Sequence, residues 1–158
     1  MAEPLEAPAE AALAAAGVPY RVVRHRPAKS LGEAAALRGL EPRDIIKTLV
    51  VRRGTDDYLF VLVPGDREIA WPKLRAHLGV SRLSMPDADA AFAATGYRRG
   101  TITPFGSRVA WPVVADASVA GRTISLGAGE PGATVLVDAD AALAALGAEV
   151  ADIAERVG

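Results

Sequence analysis

The sequence predicts an α/β (α+β) fold, a single domain over residues 1–158 in which short helices surround a mixed, strongly curved, barrel-like sheet. The length of 158 residues is that of one domain, and 51% hydrophobic against 23% charged residues is enough apolar material for a buried core. Strand-like runs alternate irregularly with short helical segments, unlike a regular βαβ series. Because no stretch resembles a linker or a repeat, a second domain is not expected.

Helices are predicted where helix-forming segments end at a glycine or begin at a capping residue. The first covers residues 8–16 and stops at Gly17. The second follows Ser30, which forms an S-x-x-E capping box with Glu33, and it closes at Gly39. Similar signals predict helices over residues 71–78, 87–95 and 139–146, and a last turn or two over 150–157.

Strands are predicted in short runs rich in β-branched residues. The run over residues 20–25 lies between two prolines. The runs over 45–51 and 58–63 are joined by a polar connection that contains Gly54, and this pattern indicates a hairpin in the core of the sheet. Three further strands are predicted over residues 109–115, 123–126 and 134–137.

The charged and reactive residues exclude several classes of protein. Eighteen Lys and Arg against nineteen Asp and Glu give a net charge of −1, which excludes a bulk nucleic-acid coat protein. A local basic rim is conceivable, although such charge pairs usually mark a solvated face; its members would be Arg52, Arg53, Lys73, Arg75, Arg98 and Arg99. With no cysteine and two well-separated histidines, no metal and no cofactor are expected.

Localisation is predicted from hydropathy. No apolar run approaches the roughly 20 residues that a membrane span needs. The first residues carry an acid, Glu3, where a signal peptide carries basic residues. We therefore expect a soluble cytoplasmic protein without a membrane partner.

Lys47 is the most informative single residue. Side chains alternate along a strand, so Lys47 shares one face with apolar neighbours such as Leu49, while Thr48 points to the other face. One interpretation is a rim position where the lysine stem covers apolar surface and the ammonium reaches water. The other is a pocket lysine that binds an anionic or carbonyl oxygen.

Two glycine-containing loops are further candidates. In the loop over residues 96–106 glycines permit close backbone approach and Pro104 fixes φ, so backbone N–H groups could form an oxyanion hole, although an ordinary tight connection has the same pattern. The loop over residues 127–132 lacks the lysine of a phosphate-binding P-loop. His25 resembles a surface histidine at a strand end, and no catalytic triad can be built on it.

Taken together, these segments resemble the YbaK (EbsC) family of aminoacyl-tRNA deacylases, which includes the editing domain inserted in bacterial prolyl-tRNA synthetases. The resemblance extends from Val18 onward and is most specific in the lysine strand and the long glycine loop. The matching pieces are residues 25–28, 46–49, 95–106, 116–117, 127–132 and 151–154.

The resemblance implies roles for individual residues. Lys47 would line the editing pocket and orient the substrate, and Gly100, with the loop through Pro104, would hold the aminoacyl carbonyl and ester. Family members work without a metal or a covalent intermediate. The implied substrate-binding residues are His25, Leu31, Thr48, Thr101, Ile102, Thr103, Pro104, Phe105, Gly127, Gly129 and Thr134.

Departures from the family pattern fall around the amino-acid pocket. A tyrosine, a phenylalanine, a serine and an aspartate of the cysteine-specific deacylases are here Val23, Leu31, Gly127 and Thr134. Thr48 keeps the YbaK-like pattern, where alanine-specific relatives have asparagine. The edited residue is thus open among cysteine, alanine and other small amino acids.

The expected function is that of a freestanding trans-editing deacylase that hydrolyses mischarged Cys- or Ala-tRNA(Pro). Its partners would be the acceptor end of tRNA(Pro) and prolyl-tRNA synthetase. The alternative is a non-catalytic module that binds tRNA or a synthetase and retains the editing fold. A small-molecule esterase would need a serine with a nearby histidine, and the sequence has no G-x-S-x-G elbow.

Overall fold

The structure is a computed structural model that describes residues 6–157. Within that range it contains five α-helices and nine β-strands. The helices are α1 (Pro8–Ala15), α2 (Leu31–Arg38), α3 (Trp71–Leu78), α4 (Ala88–Thr95) and α5 (Ala139–Leu146). The strands are β1 (Tyr20–Arg24), β2 (Ile46–Gly54), β3 (Asp57–Pro64), β4 (Arg67–Ile69), β5 (Val113–Asp116), β6 (Thr123–Gly127), β7 (Ala133–Asp138), β8 (Glu149–Ala151) and β9 (Ala154–Arg156).

The strands form three sheets. The largest has the order β2-β3-β5-β8 and is mixed, since β2 and β3 are antiparallel while β5 runs parallel to both β3 and β8. A second, antiparallel sheet has the order β1-β7-β6, and β4 pairs with β9 in a third. The predicted mixed α/β architecture is therefore confirmed.

The predicted barrel-like closure is wrong, because the sheets do not close on one another. Strand β6 meets the residue just before β2 at a single parallel bridge, between Ser125 and Ile45. Beyond that bridge no further pairs join the two strands within the described residues. This opening between two sheets is where the cavity described below is found.

The β2–β3 hairpin separates two apolar clusters. Phe60 and Leu62 of β3 belong to one cluster, together with residues of β6 and β7, while Val61 and Val63 belong to the other, together with Leu74 of α3. This alternation is the period-2 pattern of a strand buried on both faces. On β2 the same alternation places Lys47 on the face of Leu49 and Val51, whose partners are in the second cluster.

The start and stop signals of the helices are confirmed by their geometry. Ser30 Oγ accepts a hydrogen bond from the Glu33 N–H at 3.1 Å, and Asp87 and Asp138 cap α4 and α5 in the same way. The glycines that follow α2, α3, α4 and α5 all have left-handed backbone conformations. Local sequence therefore determines where these helices begin and end.

Two predicted elements differ from the structure. The expected helical turn over residues 150–157 is wrong: this segment holds most of β8 and all of β9, because β8 pairs with β5 and the Asp116 carboxylate accepts hydrogen bonds from the N–H groups of Ile153 and Ala154. The strand expected from residue 109 begins only at Val113. Pro112 lacks the N–H that would extend the ladder, and its carbonyl accepts from the Phe60 N–H at 2.8 Å.

Candidate functional site

A cavity of about 820 Å³ lies between β2 and the β6–β7 pair. This volume is within the range of pockets that bind small molecules. Its walls are residues 45–50 of β2 and the preceding turn, residues 125–127 of β6, the glycine loop near Gly100, and the segment that leads into α4. The lining is mainly apolar, with a few polar groups of the kind that orient a ligand.

Six of the predicted site residues line this cavity. They are Lys47, Thr48, Gly100, Ile102, Gly127 and Thr134. They come from four separate parts of the chain, namely β2, the glycine loop, the end of β6 and the start of β7. The fold thus brings together the lysine strand and both glycine loops, which the sequence singled out separately.

The Lys47 ammonium donates a hydrogen bond to the backbone carbonyl of Arg67, at the start of β4. Burial lowers the pKa of Lys47, and the carboxylates of Glu68 and Asp66 act in the opposite direction. An ammonium has three donors, so two are still available beyond the bond to Arg67. Lys47 therefore combines the two interpretations of its strand position: it is packed beside apolar neighbours and it lines a cavity.

Gly100 lies at an exposed turn of the glycine loop with φ 88°, a conformation that favours glycine. A Cβ atom there would meet nothing within 4 Å, so the space beside Gly100 is open. Within residues 6–157 the Gly100 N–H forms no hydrogen bond. A free N–H at the wall of a cavity can stabilise negative charge that develops on a bound carbonyl oxygen.

The other predicted residues of the glycine loop hold the loop together. Thr101 Oγ1 donates to the Arg98 carbonyl at 2.7 Å, and Thr103 Oγ1 accepts from the Phe105 N–H at 3.4 Å. The Phe105 side chain is buried in the core, and its carbonyl accepts from the Tyr97 hydroxyl at 2.7 Å. Pro104 lines a separate cavity of about 460 Å³ beside Trp111.

The three remaining predicted residues lie outside the cavity wall. A Cβ at Gly129 would be 2.6 Å from the Tyr97 ring, so this glycine permits close packing against α1 and Tyr97. The Leu31 side chain packs against Gly65. His25 contacts Arg38, which does line the cavity. Their implied binding roles stay predictions.

Gly127 is required by packing. A Cβ at this position would be 2.7 Å from the Ile102 carbonyl oxygen and 3.0 Å from that of Thr101. Backbone atoms cannot move aside as a flexible side chain can. The glycine loop therefore lies directly against the end of β6, which fixes its position at the cavity.

Three buried polar atoms of the cavity-lining residues have no hydrogen-bond partner among residues 6–157. They are Thr48 Oγ1, Thr134 Oγ1 and Arg38 Nε. A buried polar group without a partner costs about 1–3 kcal/mol, so such groups are rare in folded proteins. All three belong to residues that line the cavity, where they are available to hydrogen-bond a polar ligand.

Sequence reasoning missed Arg38 and Ser125 as cavity residues. Arg38 is in the last turn of α2, where a basic residue is explained by the helix dipole alone. Of the six residues considered for a basic rim, only Arg99 lines the cavity. Arg53 pairs with Asp57, Lys73 pairs with Asp152, and Arg98 lies over the Phe92 ring.

Two features are absent from the part of the chain that the structure describes. Among residues 6–157 no three His, Cys, Asp or Glu side chains are grouped so that they could hold a metal ion. Over the same residues, none of the helices has the length and apolar character needed to cross a bilayer.

Comparison with known proteins gives a consistent result. The family model of the aminoacyl-tRNA editing domain matches residues 25–145. A solved structure of a proposed trans-editing enzyme for prolyl-tRNA synthetase superposes with a TM-score of 0.85 at 27% identity, covering 98% of this chain and 100% of that one. The structure of a hypothetical protein gives the same TM-score and identity, covering 94% of this chain and 99% of that one.

Proline–tRNA ligases are also similar over part of their length. The ligase of Thermosipho africanus is 34% identical over 79 residues, which is 50% of this chain and 14% of the ligase. That of Thermotoga maritima is 36% identical over 93 residues, 59% of this chain and 16% of the ligase. The chain thus spans only about one-sixth of the length of these relatives.

Proposed function

This chain belongs to the aminoacyl-tRNA editing domain family, and from that premise we propose that it is a freestanding trans-editing deacylase acting on mischarged tRNA(Pro) in the cytoplasm. The observation that carries the proposal is one cavity lined by both Lys47 and Gly100, whose N–H is unpaired. The structural likeness to a proposed trans-editing enzyme for prolyl-tRNA synthetase supports the trans-editing role.

The reaction is hydrolysis of the ester between the amino acid and the ribose of the terminal nucleotide. A water oxygen bonds to the carbonyl carbon, the bond from that carbon to the ribose oxygen breaks, and the ribose oxygen takes up a proton. The products are the free amino acid and uncharged tRNA. Negative charge develops on the carbonyl oxygen, where the Gly100 N–H and the Lys47 ammonium can stabilise it.

The two unpaired threonine hydroxyls fit the other end of the aminoacyl group. Thr48 Oγ1 and Thr134 Oγ1 are buried and can accept hydrogen bonds from the α-ammonium of the substrate. Holding the ammonium and the carbonyl at once fixes the ester relative to the attacking water. Such positioning lowers the barrier without a covalent intermediate.

The chemistry of proline selection explains why such an enzyme is useful. A site for proline discriminates poorly against smaller amino acids, because a missing methylene is worth only about 1–3 kcal/mol. A second pocket that hydrolyses the wrong product corrects this error. We propose cysteine or alanine as the amino acid removed.

The test is amino-acid release from tRNA(Pro) charged with Cys, Ala, Ser, Thr or Pro. We expect wild type to act on a mischarged species and to spare Pro-tRNA(Pro). Lys47→Ala should lower the rate at least 100-fold, as loss of an oxyanion donor does, while its circular dichroism and melting temperature stay close to those of wild type. Lys73→Ala is the matched control, since Lys73 is an exposed lysine paired with Asp152.

Full activity of Lys47→Ala would remove the lysine from the mechanism. Binding of tRNA with no release from any charged species would refute the deacylase proposal and favour a non-catalytic tRNA-binding module. Two departures from the family pattern that line the cavity, Gly127 and Thr134, motivate that second candidate.

A further inference from the structure

Arg38 is a cation at the cavity that no carboxylate of residues 6–157 neutralises. It lies at the end of α2 and lines the cavity, and its Nε is buried without a hydrogen-bond partner. Burial lowers the pKa of its guanidinium, as expected where a cation is removed from water. Among residues 6–157 it forms no ion pair, whereas Arg26, Arg53 and Arg122 each pair with a carboxylate.

The side-chain contact that Arg38 makes is with His25. His25 Nδ1 lies 2.8 Å from the Arg26 carbonyl oxygen, which can only accept a hydrogen bond, so Nδ1 carries the proton. His25 Nε2 is then the acceptor for Arg38 Nη2, at 3.1 Å. The imidazole orients the guanidinium but supplies no negative charge.

The backbone holds His25 in place for this contact. Its N–H donates to the Gly132 carbonyl at 2.9 Å, which ties the end of β1 to the turn before β7. This bond places the backbone of His25 beside the start of β7, the strand that carries Thr134. The contact between His25 and Arg38 thereby links the guanidinium to the same end of that strand.

We infer that Arg38 is the binding site for a phosphate of the 3′-terminal nucleotide of the bound tRNA, with His25 as its positioning residue. This inference rests on the proposed function. An aminoacyl ester carries an α-ammonium and no carboxylate, so the anionic groups of such a substrate are its phosphates. Arginine suits phosphate because its planar fork can donate two parallel hydrogen bonds.

The other charged groups at the cavity agree with this assignment. Arg99 lines the same cavity and is exposed, so it adds positive charge on the solvent side. The carboxylate among the lining residues, Asp87, is used to cap α4, where it accepts from the Ala90 N–H at 2.8 Å. The remaining lysine of the cavity, Lys47 on β2, is assigned to the ester and not to the phosphate.

The experiment compares 5′-AMP with adenosine as ligands, by calorimetric titration of the intact protein. Wild type should bind 5′-AMP at least tenfold more tightly than adenosine. Arg38→Gln should remove that preference, and Arg38→Lys should restore part of it, since it keeps the charge but loses the fork. Arg53→Gln is the matched control and should behave as wild type, because Arg53 pairs with Asp57 away from this cavity.

A second readout separates positioning from general damage to the fold. Loss of one phosphate contact should reduce the slope of log K against log salt for tRNA binding by about 0.7 in Arg38→Gln. His25→Ala should raise KM for charged tRNA several-fold with kcat within twofold of wild type, and equal melting temperatures would show that the variants are folded.

Each failure has a distinct signature. An unchanged 5′-AMP preference in Arg38→Gln, or equal affinity of wild type for 5′-AMP and adenosine, would overturn the inference. Tight binding of inorganic phosphate alone, with no gain from the adenosine moiety, would also overturn it, since the site would then be one for free phosphate. An Arg38-dependent 5′-AMP preference without any ester hydrolysis would refute the proposed deacylase and leave the phosphate site standing.

Discussion

Two buried polar centres in this molecule differ in how completely their hydrogen bonds are made. At the end of β5, the Asp116 carboxylate accepts from the N–H groups of Ile153, Ala154 and Ser118 at 2.9–3.0 Å, and also from the Ser118 hydroxyl. Burial alone would raise the pKa of Asp116, but these hydrogen bonds outweigh it and hold that pKa below its usual value.

The polar groups at the cavity differ from Asp116, because several of their hydrogen bonds are not made within residues 6–157. In the described part of the chain, Thr48, Thr134 and Arg38 each have a buried polar atom without a partner. They lie where one bridge, from Ile45 to Ser125, joins the start of β2 to β6. Among residues 6–157 the carboxylate of Asp116 is therefore fully paired within the protein, whereas three polar atoms at the cavity are not. Saturated polar centres should govern stability, and unsaturated ones should govern binding.

The largest expected effect is at the saturated centre. Asp116→Ala leaves three backbone N–H groups without their acceptor, and we expect it to lower the free energy of unfolding by about 4 kcal/mol. Urea unfolding followed by circular dichroism measures this. Asp152→Ala, which removes an exposed ion pair with Lys73, should cost less than about 1 kcal/mol.

The pH dependence of protein stability provides a second test of the role of Asp116. Because the pKa of Asp116 is lower in the folded state than in the unfolded state, its stabilising contribution is fully present above the unfolded-state pKa. The contribution is lost as pH falls from there through the folded-state pKa. Asp116→Asn should therefore show a flatter fall in stability on acidification than wild type, and parallel curves would contradict the assignment.

Smaller effects are expected at two threonines, Thr95, whose hydroxyl is hydrogen-bonded, and Thr134, whose hydroxyl has no partner among residues 6–157. Thr95 Oγ1 donates to the Ala91 carbonyl at 2.8 Å and is fully buried, so Thr95→Val should cost about 1 kcal/mol of stability. Thr134→Val removes a hydroxyl that has no partner, so we expect stability within about 0.5 kcal/mol of wild type. The activity of Thr134→Val on charged tRNA should nevertheless fall about tenfold, the equivalent of one hydrogen bond to the substrate. The reverse pattern in the two variants would break the comparison.

Much of the fold is encoded locally. Three helices begin directly after capping side chains, those of Ser30, Asp87 and Asp138. The runs of apolar residues around Lys47 and through β3 predict the hairpin. The helical turn that the sequence predicts over residues 150–157 is wrong, because the extended form of this segment depends on hydrogen bonds to Asp116, 37 and 38 residues earlier. A contact between residues so far apart in the chain cannot be predicted from the local sequence.

The site divides in the same way. The chemistry of Lys47 and the backbone freedom at Gly100 are visible in the sequence, and both residues line the cavity. The role inferred for Arg38 could not be predicted from the sequence, because it depends on the contact with His25 and on the lack of an ion pair with any carboxylate of residues 6–157. Barrel closure was also expected, and only the tertiary structure shows that β2 and β6 separate and leave room for a ligand.

The central claim is that the cavity with unsatisfied polar groups is the site that binds the aminoacyl end of tRNA. The most direct measurement is an NMR titration of ¹⁵N-labelled protein with an aminoacyl-adenosine analogue in which a stable amide replaces the ester. We predict amide shift changes at Thr48, Gly100, Gly127 and Thr134, with none at Ser118, Ile153 or Ala154. Shift changes centred on the second cavity, around Trp111 and Leu146, or no changes at saturating analogue, would contradict the claim.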